Sequence, residues 1–339
     1  MKIAVLGAGP GALALSACLV QKGYRVSLYE QPAFAQNIKE LALQKTILAD
    51  GCIQGRATLD CVTTELAQAV SGARFLFLVT HAAAHLPLAH ALAPLIERGQ
   101  TIVLFPGYLA GALCFERELL AENPAAAPEL IESSALPFAC RRTGPCSVFV
   151  GGLKREFLLS CRQQHPDLQP LTDLFGEIPT GQNLLETGLN ETNFIIHACI
   201  SLSNLGLVES GRDWSFYREG LPPSVGRLIE AVDQERLALL RELDLPQISL
   251  AQWLLRFYGD QGAKGDTAYE VLTHFDYFAT SKGPRSFSHR YFTEDLPYGL
   301  VPLAALGEAH GVSMTAANAL IDLANRAVGT DFRAAGRQI

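Results

Sequence analysis

His197 is the residue whose setting most invites proton chemistry. It ends the run Leu189-Asn190-Glu191-Thr192-Asn193-Phe194-Ile195-Ile196-His197, an otherwise apolar helical pattern. Read as one helix, Asn190, Asn193 and His197 fall at i, i+3 and i+7 and share a face. An imidazole so placed can exchange a proton with a reacting group. Taken alone, a hydrogen-bonded core histidine is the more ordinary reading. The densest polar cluster of the second half is 288–300, with the basic pair His289-Arg290, the acidic pair Glu294-Asp295 and a Pro/Gly stop. Arginine forks onto carboxylates and aspartate orients a histidine. A salt-bridged connection between helices would use the same residues. Arg141 and Arg142, after Cys140, face either the cleft or solvent. His81 and His85 lie one helical turn apart, but no third ligand stands at suitable spacing, so no metal is expected.

A second chemistry is written at the N-terminus. The apolar strand Ile3-Ala4-Val5-Leu6 runs into Gly7-Ala8-Gly9-Pro10-Gly11-Ala12, and an apolar helical pattern follows. This is a G-x-G-x-x-A dinucleotide fingerprint between its strand and its helix. Gly7 permits the sharp turn, Gly9 leaves room for a pyrophosphate, and Ala12 lets helix and sheet pack closely. The free amides and positive dipole end of the helix, entered through Pro10 and Gly11, face the phosphates. Glu30, about 20 residues beyond the loop at the end of the second strand, is placed to bond the adenosine ribose. Its charge repels a 2′-phosphate, and residues 31–34 supply no arginine, which favours NAD, with NADP as the alternative. A solvated strand-end glutamate is the plainer reading of Glu30. Thr80, just past the strand at 75–79, is assigned to the cofactor as well.

These residues need elements to hold them. Strand and helix signals alternate to about residue 180: strands at 25–29, 75–79, 101–105, 130–133 and 147–150, helices at 34–49 and 83–96. Apolar strands with helices between them imply a parallel sheet covered on both faces. Beyond 186 the patterns are helical, at 192–207, 224–243, 250–258, 268–273, 301–308 and 316–328. Ser224 reads as the N-cap of its helix. The expected architecture is an α/β Rossmann domain over 1–185, with a doubly wound, mainly parallel sheet, then an all-α domain over 186–339, with the active site in the cleft between them.

The 339 residues, 49% hydrophobic and 18% charged, make a globular chain of about two domains. A net charge of -7 gives no support for nucleic acid or anionic membrane as partner. No apolar run reaches the roughly 18 residues of a membrane span, and the N-terminal stretch does not read as a signal peptide. The eight cysteines form no C-x-x-C pair and read as reduced, mostly buried thiols of a cytoplasmic protein.

At these residues the chain resembles the NAD(P)-dependent octopine/nopaline (opine) dehydrogenase family over nearly its whole length. The markers are GAGPGALA, LFPGYLAGALCFE (104–116), LPFACRRTGP (136–145), the N-x-x-N-x-x-x-H run at 190–197, FYREGLPPSVGRLIEAVDQER (216–236) and RYFTEDLPYGLVPL (290–303). Phe105 stands where the family often has asparagine, and Ala198 where proline often follows the histidine. The resemblance implies a Rossmann domain plus a helical domain akin to that of 6-phosphogluconate dehydrogenase. It implies reversible condensation of an amino acid with a 2-oxo acid such as pyruvate, the imine being reduced by NAD(P)H to an N-(1-carboxyalkyl) amino acid. His197 maps onto the family's general acid/base and Asp295 onto the aspartate that orients it. Arg290 maps onto the arginine that binds a substrate carboxylate; Asn193, Arg141 and Cys140 fall beside the substrate, Cys140 as packing. A homodimer is an expectation on family grounds alone. Two other readings share the layout. A 2-oxo or 3-hydroxy acid reductase of the ketopantoate reductase or glycerol-3-phosphate dehydrogenase kind would rely on a lysine in the second domain, where only Lys264 and Lys282 occur. A non-catalytic NAD-binding sensor would have no need of His197, Arg290 and Asp295 together.

Overall fold

The computed structural model describes residues 1–162 and 166–339, which divide into two compact units, Met1–Gly188 and Leu189–Ile339.

The first unit is built on β1 (Lys2–Leu6), β2 (Arg25–Tyr29), β3 (Thr46–Gly51), β4 (Gly55–Thr58), β5 (Cys61–Thr63), β6 (Phe75–Leu78), β7 (Thr101–Leu104), β8 (Glu129–Ser133), β9 (Phe138–Gly144), β10 (Ser147–Leu153) and β11 (Leu159–Cys161). Seven strands form one sheet in the order β11-β8-β7-β6-β1-β2-β5, parallel except for β11. All four residues of β6 and of β7 are buried, as in a parallel sheet covered on both faces. The chain winds outward in both directions from β1 and β6. The order reverses there, which is where doubly wound sheets hold ligands.

The other four strands form a second sheet, β4-β3-β10-β9. Helix α1 (Pro10–Gln21) packs against strands of both sheets. Burial on two sides explains why it is apolar around most of its circumference. This second sheet corrects the helix expected over 34–49. That stretch is a 3-10 turn (Pro32–Ile38), a short α2 (Lys39–Gln44) and then β3. In β3 the burial alternates, with Ile47 and Ala49 inward and Leu48 outward. Gly51 has φ +94, and a Cβ there would lie 2.1 Å from the Val150 carbonyl oxygen, so glycine lets β3 end against β10. The remaining helices of this unit are α3 (Leu66–Val70), α4 (His85–Leu92), α5 (Gly111–Glu122), α6 (Gln169–Phe175) and α7 (Leu184–Leu189).

The second unit is helical: α8 (Asn193–Ser203), α9 (Leu205–Glu209), α10 (Pro223–Glu242), α11 (Leu250–Tyr258), α12 (Ala268–His274), α13 (Arg290–Thr293), α14 (Val301–Ala309), α15 (Thr315–Val328) and α16 (Phe332–Ala335), with a π-helical turn over Leu296–Leu300. Nine of the eleven residues of α8 are buried, so this helix is the unit's axis, with α10, α13, α15 and the π turn around it. The helix expected over 192–207 breaks at Asn204, whose Nδ2 donates to the carbonyls of Ile200 and Gly220. Helix α10 starts with Pro223 at its first position, so Pro222 takes the N-cap place expected for Ser224. Among the described residues no helix is long and apolar enough to cross a membrane.

Candidate active site

Two groups of residues are the candidates for the chemistry, one in each unit. In the first, Gly7 takes φ +113, and a Cβ there would lie 2.4 Å from the Val79 carbonyl oxygen. Only glycine lets the loop after β1 lie against the end of β6. Its amide donates to the Tyr29 carbonyl at 2.8 Å, tying the loop to β2. Gly9 is the N-cap of α1 and Pro10 its first residue. A Cβ at Gly9 would meet nothing within 4 Å, so the space above the helix start is open. Gly11 packs on Leu136, where a Cβ would fall 2.7 Å from the leucine side chain, and Ala12 is fully buried. Thr80 follows β6 directly, and its Oγ1 is buried without a hydrogen-bond partner among the described residues. A hydroxyl in that state is costly unless a ligand answers it. The open amide-lined helix start and the orphan hydroxyl fit a dinucleotide.

Glu30 is not a solvated strand end. It is 9% exposed, and its carboxylate accepts the Gln31 amide at 2.9 Å. Burial raises its pKa, while hydrogen bonds from Gln31, Asn37 and Ala8 and the nearby Arg142 charge pull the other way. The surroundings are also not free of arginine, as residues 31–34 alone suggested. Arg142 arrives from β9 and donates to the carbonyls of Gly144 (3.1 Å), Ala8 (3.3 Å), Asn37 (2.7 Å) and Pro145. It braces the glycine loop and the turn after β2 instead of presenting its fork outward.

Cys140 and Arg141 lie on β9 as well. Burial pushes the Cys140 thiol up to about 12, so it packs as a neutral group. Arg141 is exposed and lays its guanidinium over the Phe149 ring of β10, 4.3 Å from its centre.

In the second unit, His197 Nδ1 lies 2.9 Å from Asp295 Oδ2. Asp295 is fully buried and His197 5% exposed. The two residues are 98 positions apart, and a glycine brings them together. Gly299 lies on the π turn where a Cβ would stand 2.3 Å from Phe194 Cγ, so its lack of a side chain lets the turn close onto α8. The carboxylate only accepts, which assigns the proton to Nδ1 and the lone pair to Nε2. The imidazole is held on its flat side too. The Tyr291 ring stacks on it with centroids 3.9 Å apart and an interplanar angle of 21°, and Phe216 meets its edge at 5.9 Å.

Arg290 opens α13. It bonds Glu294 one turn on at 3.2 Å, and its guanidinium carbon lies 5.3 Å from the Tyr291 ring centre. Its side chain is 42% exposed while that of Glu294 is 5%, so the cation has a buried anchor and a wet outer side. Asn193, at the start of α8 and one turn before His197, donates to Glu191 Oε1 at 2.7 Å. Asn190 departs from the expected face. It precedes α8, and its Oδ1 accepts from Arg236 (2.9 Å) and Trp253 (2.7 Å).

The residues to which the sequence assigned no role at the site are Tyr291, Phe216, Tyr217 and Arg236. The three aromatics sit in the runs FYREG and RYFTED, where adjacency to charged residues is a usable signal. Arg236 closes the run 216–236; Asp233 is its partner on the same helix, while Ile248, Asn190 and Leu189 lie 12 to 47 positions away on other segments. The histidine pair of the first unit separates in role: His85 is buried in α4 and His81 precedes it. Among the described residues no group of three or more His, Cys, Asp or Glu could hold a metal ion. Lys264 and Lys282 are exposed and outside helices, Lys282 lying 3.8 Å from Asp213, so neither is the buried catalytic lysine of a keto-acid reductase.

Replacing Asp295 with asparagine would present a carboxamide to Nδ1 and permit the reversed tautomer, with the proton on Nε2. We expect kcat to fall about 100-fold, with the pH–rate profile displaced, in steady-state assays across pH. An unchanged profile would detach Asp295 from the pair.

Comparison with known proteins bears on the family of the whole chain. Residues 180–328 match the family model described as the NAD/NADP octopine/nopaline dehydrogenase alpha-helical domain. An opine dehydrogenase of Arthrobacter sp. (strain 1C) is 35% identical, the match covering 99% of this chain and 93% of that protein. The protein ocs of Agrobacterium tumefaciens (strain Ach5) is 27% identical over the same shares. The solved structure of an octopine dehydrogenase in complex with NADH and agmatine has the same fold, with a TM-score of 0.81 at 22% identity, covering 99% of this chain and 94% of that one. With that identity along nearly its whole length, the chain belongs to the NAD/NADP-dependent octopine/nopaline (opine) dehydrogenase family.

Proposed function

We propose that this chain is an NAD(P)H-dependent oxidoreductase acting on the CH–NH group, condensing an amino acid with a 2-oxo acid such as pyruvate and reducing the imine. The observation that carries the reading is the buried His197–Asp295 pair, with Arg290 five residues ahead of the aspartate. Gly7, Gly9, Pro10, Gly11 and Ala12 would hold the pyrophosphate, Glu30 the ribose, and Thr80 the far side of the loop. Bound reduced nicotinamide supplies the hydride.

The chain's own residues handle protons and charge. An amino acid arrives as an ammonium ion and cannot attack a carbonyl until it loses a proton. His197 Nε2 takes that proton, and Asp295 stabilises the imidazolium that results. The same proton is returned to the carbinolamine hydroxyl, which leaves as water and gives the iminium. In the reverse direction Nε2 takes the proton from the secondary ammonium of the product. Both substrates carry carboxylates, and Arg290 pairs with one of them through its exposed side. Asn193, on the same face of α8, lies beside that exchange.

The test is oxidation of NADH followed at 340 nm with pyruvate and other 2-oxo acids, with and without a panel of amino acids. Oxidation that requires the amine supports the proposal. Oxidation by the oxo acid alone would make the chain a keto-acid reductase, and tight NADH binding without turnover on any pair would favour the sensor.

Glu30 also sets an expected preference. Its buried carboxylate opposes a 2′-phosphate, and Arg142 is committed to carbonyls, so NADPH should bind at least about tenfold more weakly than NADH in fluorescence titrations. Equal affinities would remove Glu30 from that role. The eight cysteines form no C-x-x-C pair, and that usage suits a reducing compartment, which supports a cytoplasmic location.

A further inference from the structure

Tyr291 makes a contact that neither the proton relay nor carboxylate binding uses. Its ring contacts an imidazole that must take up a proton and a guanidinium that is always charged. The His197 imidazole is stacked on it at 3.9 Å and 21°, and the Arg290 guanidinium carbon lies 5.3 Å from the ring centre. The ring is itself fixed. Phe216 packs on it at 4.9 Å, and the His289 ring meets it edge-on at 4.4 Å. Its backbone amide donates to His289 Nδ1, which caps the short helix. Burial raises the Tyr291 and Tyr217 phenols above their ordinary range, so both are neutral rings with a proton to donate.

We propose that Tyr291 is a positioning residue for the acid/base, whose π face stabilises the protonated form of His197. This rests on the reading of His197 given above. Two physical effects act together. A cation over an aromatic face is attracted by the ring quadrupole, and more strongly where water is excluded. The stacked ring also blocks rotation of the imidazole about its Asp295 bond, so Nε2 keeps one direction. Asp295 supplies the orientation in the ring plane and Tyr291 supplies it across the plane.

Asp295 lies before the π turn, Tyr291 with Arg290 and Glu294 belongs to α13, and Tyr217 precedes α10. Helix α10 turns Asp233 and Arg236 toward each other, 2.6 Å apart, and its Glu235 caps α15 through the amides of Ala316 and Ala317. The buried face of α15 is apolar, with Ala317, Leu320, Ile321 and Ala324, and Glu209 of α9 is exposed. Tyr291 is the ring that stacks face to face with the imidazole among the described residues.

The sign follows directly. Stabilising the imidazolium raises the pH at which His197 titrates, so removing the ring must lower it. The experiment is an NMR titration of the 15N-labelled histidines in the whole enzyme without substrates, His197 being assigned by the signal lost in His197→Asn. In Tyr291→Leu, and in Tyr291→Met as a bulkier replacement should the leucine variant not fold, the midpoint should fall by about half a pH unit or more. The acidic limb of the kcat/KM profile should move by the same amount in the same direction. Tyr291→Phe keeps the ring and should restore both. An unmoved midpoint in a folded Leu or Met variant overturns the proposal, as does a phenylalanine variant that behaves like leucine. Full activity in His197→Asn would instead overturn the acid/base reading, and the two failures are separable.

Discussion

Replacing His197 with asparagine is expected to lower kcat by roughly 1,000-fold. Asparagine keeps a hydrogen-bonding side chain of similar reach but exchanges no proton near neutral pH. The ammonium substrate then stays protonated and the carbinolamine hydroxyl has no acid to leave with. The dissociation constant for NADH should stay within about twofold by fluorescence titration, because the glycine loop, Thr80 and Glu30 are untouched. That split distinguishes a chemical role from a structural one. A core histidine would show its loss in unfolding and in cofactor binding together.

The second large effect is on stability. Arg236 is fully buried, and its donors go to Asp233, Asn190 and the carbonyls of Leu189 and Ile248. Asp233 in turn accepts the Leu250 amide at 2.8 Å. Arg236→Met would strand a carboxylate among apolar side chains, which costs about 3–5 kcal/mol. The midpoint of thermal unfolding should then fall by about 10 °C or more. Arg236→Lys keeps the charge but not the fork and should lose less. An unchanged unfolding temperature for the methionine variant would show that the pair contributes nothing. The network also holds Leu189 and Asn190, just ahead of the helix that carries Asn193 and His197.

Much of this was legible from local pattern. The second strand, expected at 25–29, is β2, and the helix expected at 250–258 is α11. Both are apolar runs with their own stop signals. The four-stranded sheet was not legible. Strand β3 pairs with β10 about 100 residues later, and its short alternation follows a helical stretch that masks it. Asn190 was placed on a helix by its spacing, but its side chain serves Arg236 and Trp253.

The site shows the same division. The glycine loop announces itself because strand, turn and helix are contiguous. His197 and Asp295 lie on separate elements, and composition alone left a core histidine as the ordinary reading. The family resemblance was needed to pair them. Arg142 escaped notice near Glu30 because it reaches the glycine loop from another sheet. Tyr291 stands beside charged residues in the sequence, but no spacing rule says on which ring it stacks.

The central claim is that this chain joins an amine to an oxo acid by reduction. The most direct measurement is the mass of the product formed from NADH, pyruvate and an amino acid that supports oxidation. The account predicts a secondary amine holding both carbon skeletons, formed in equal amount to the NADH consumed. Lactate as the reduced product, with the amino acid recovered unchanged, would contradict it.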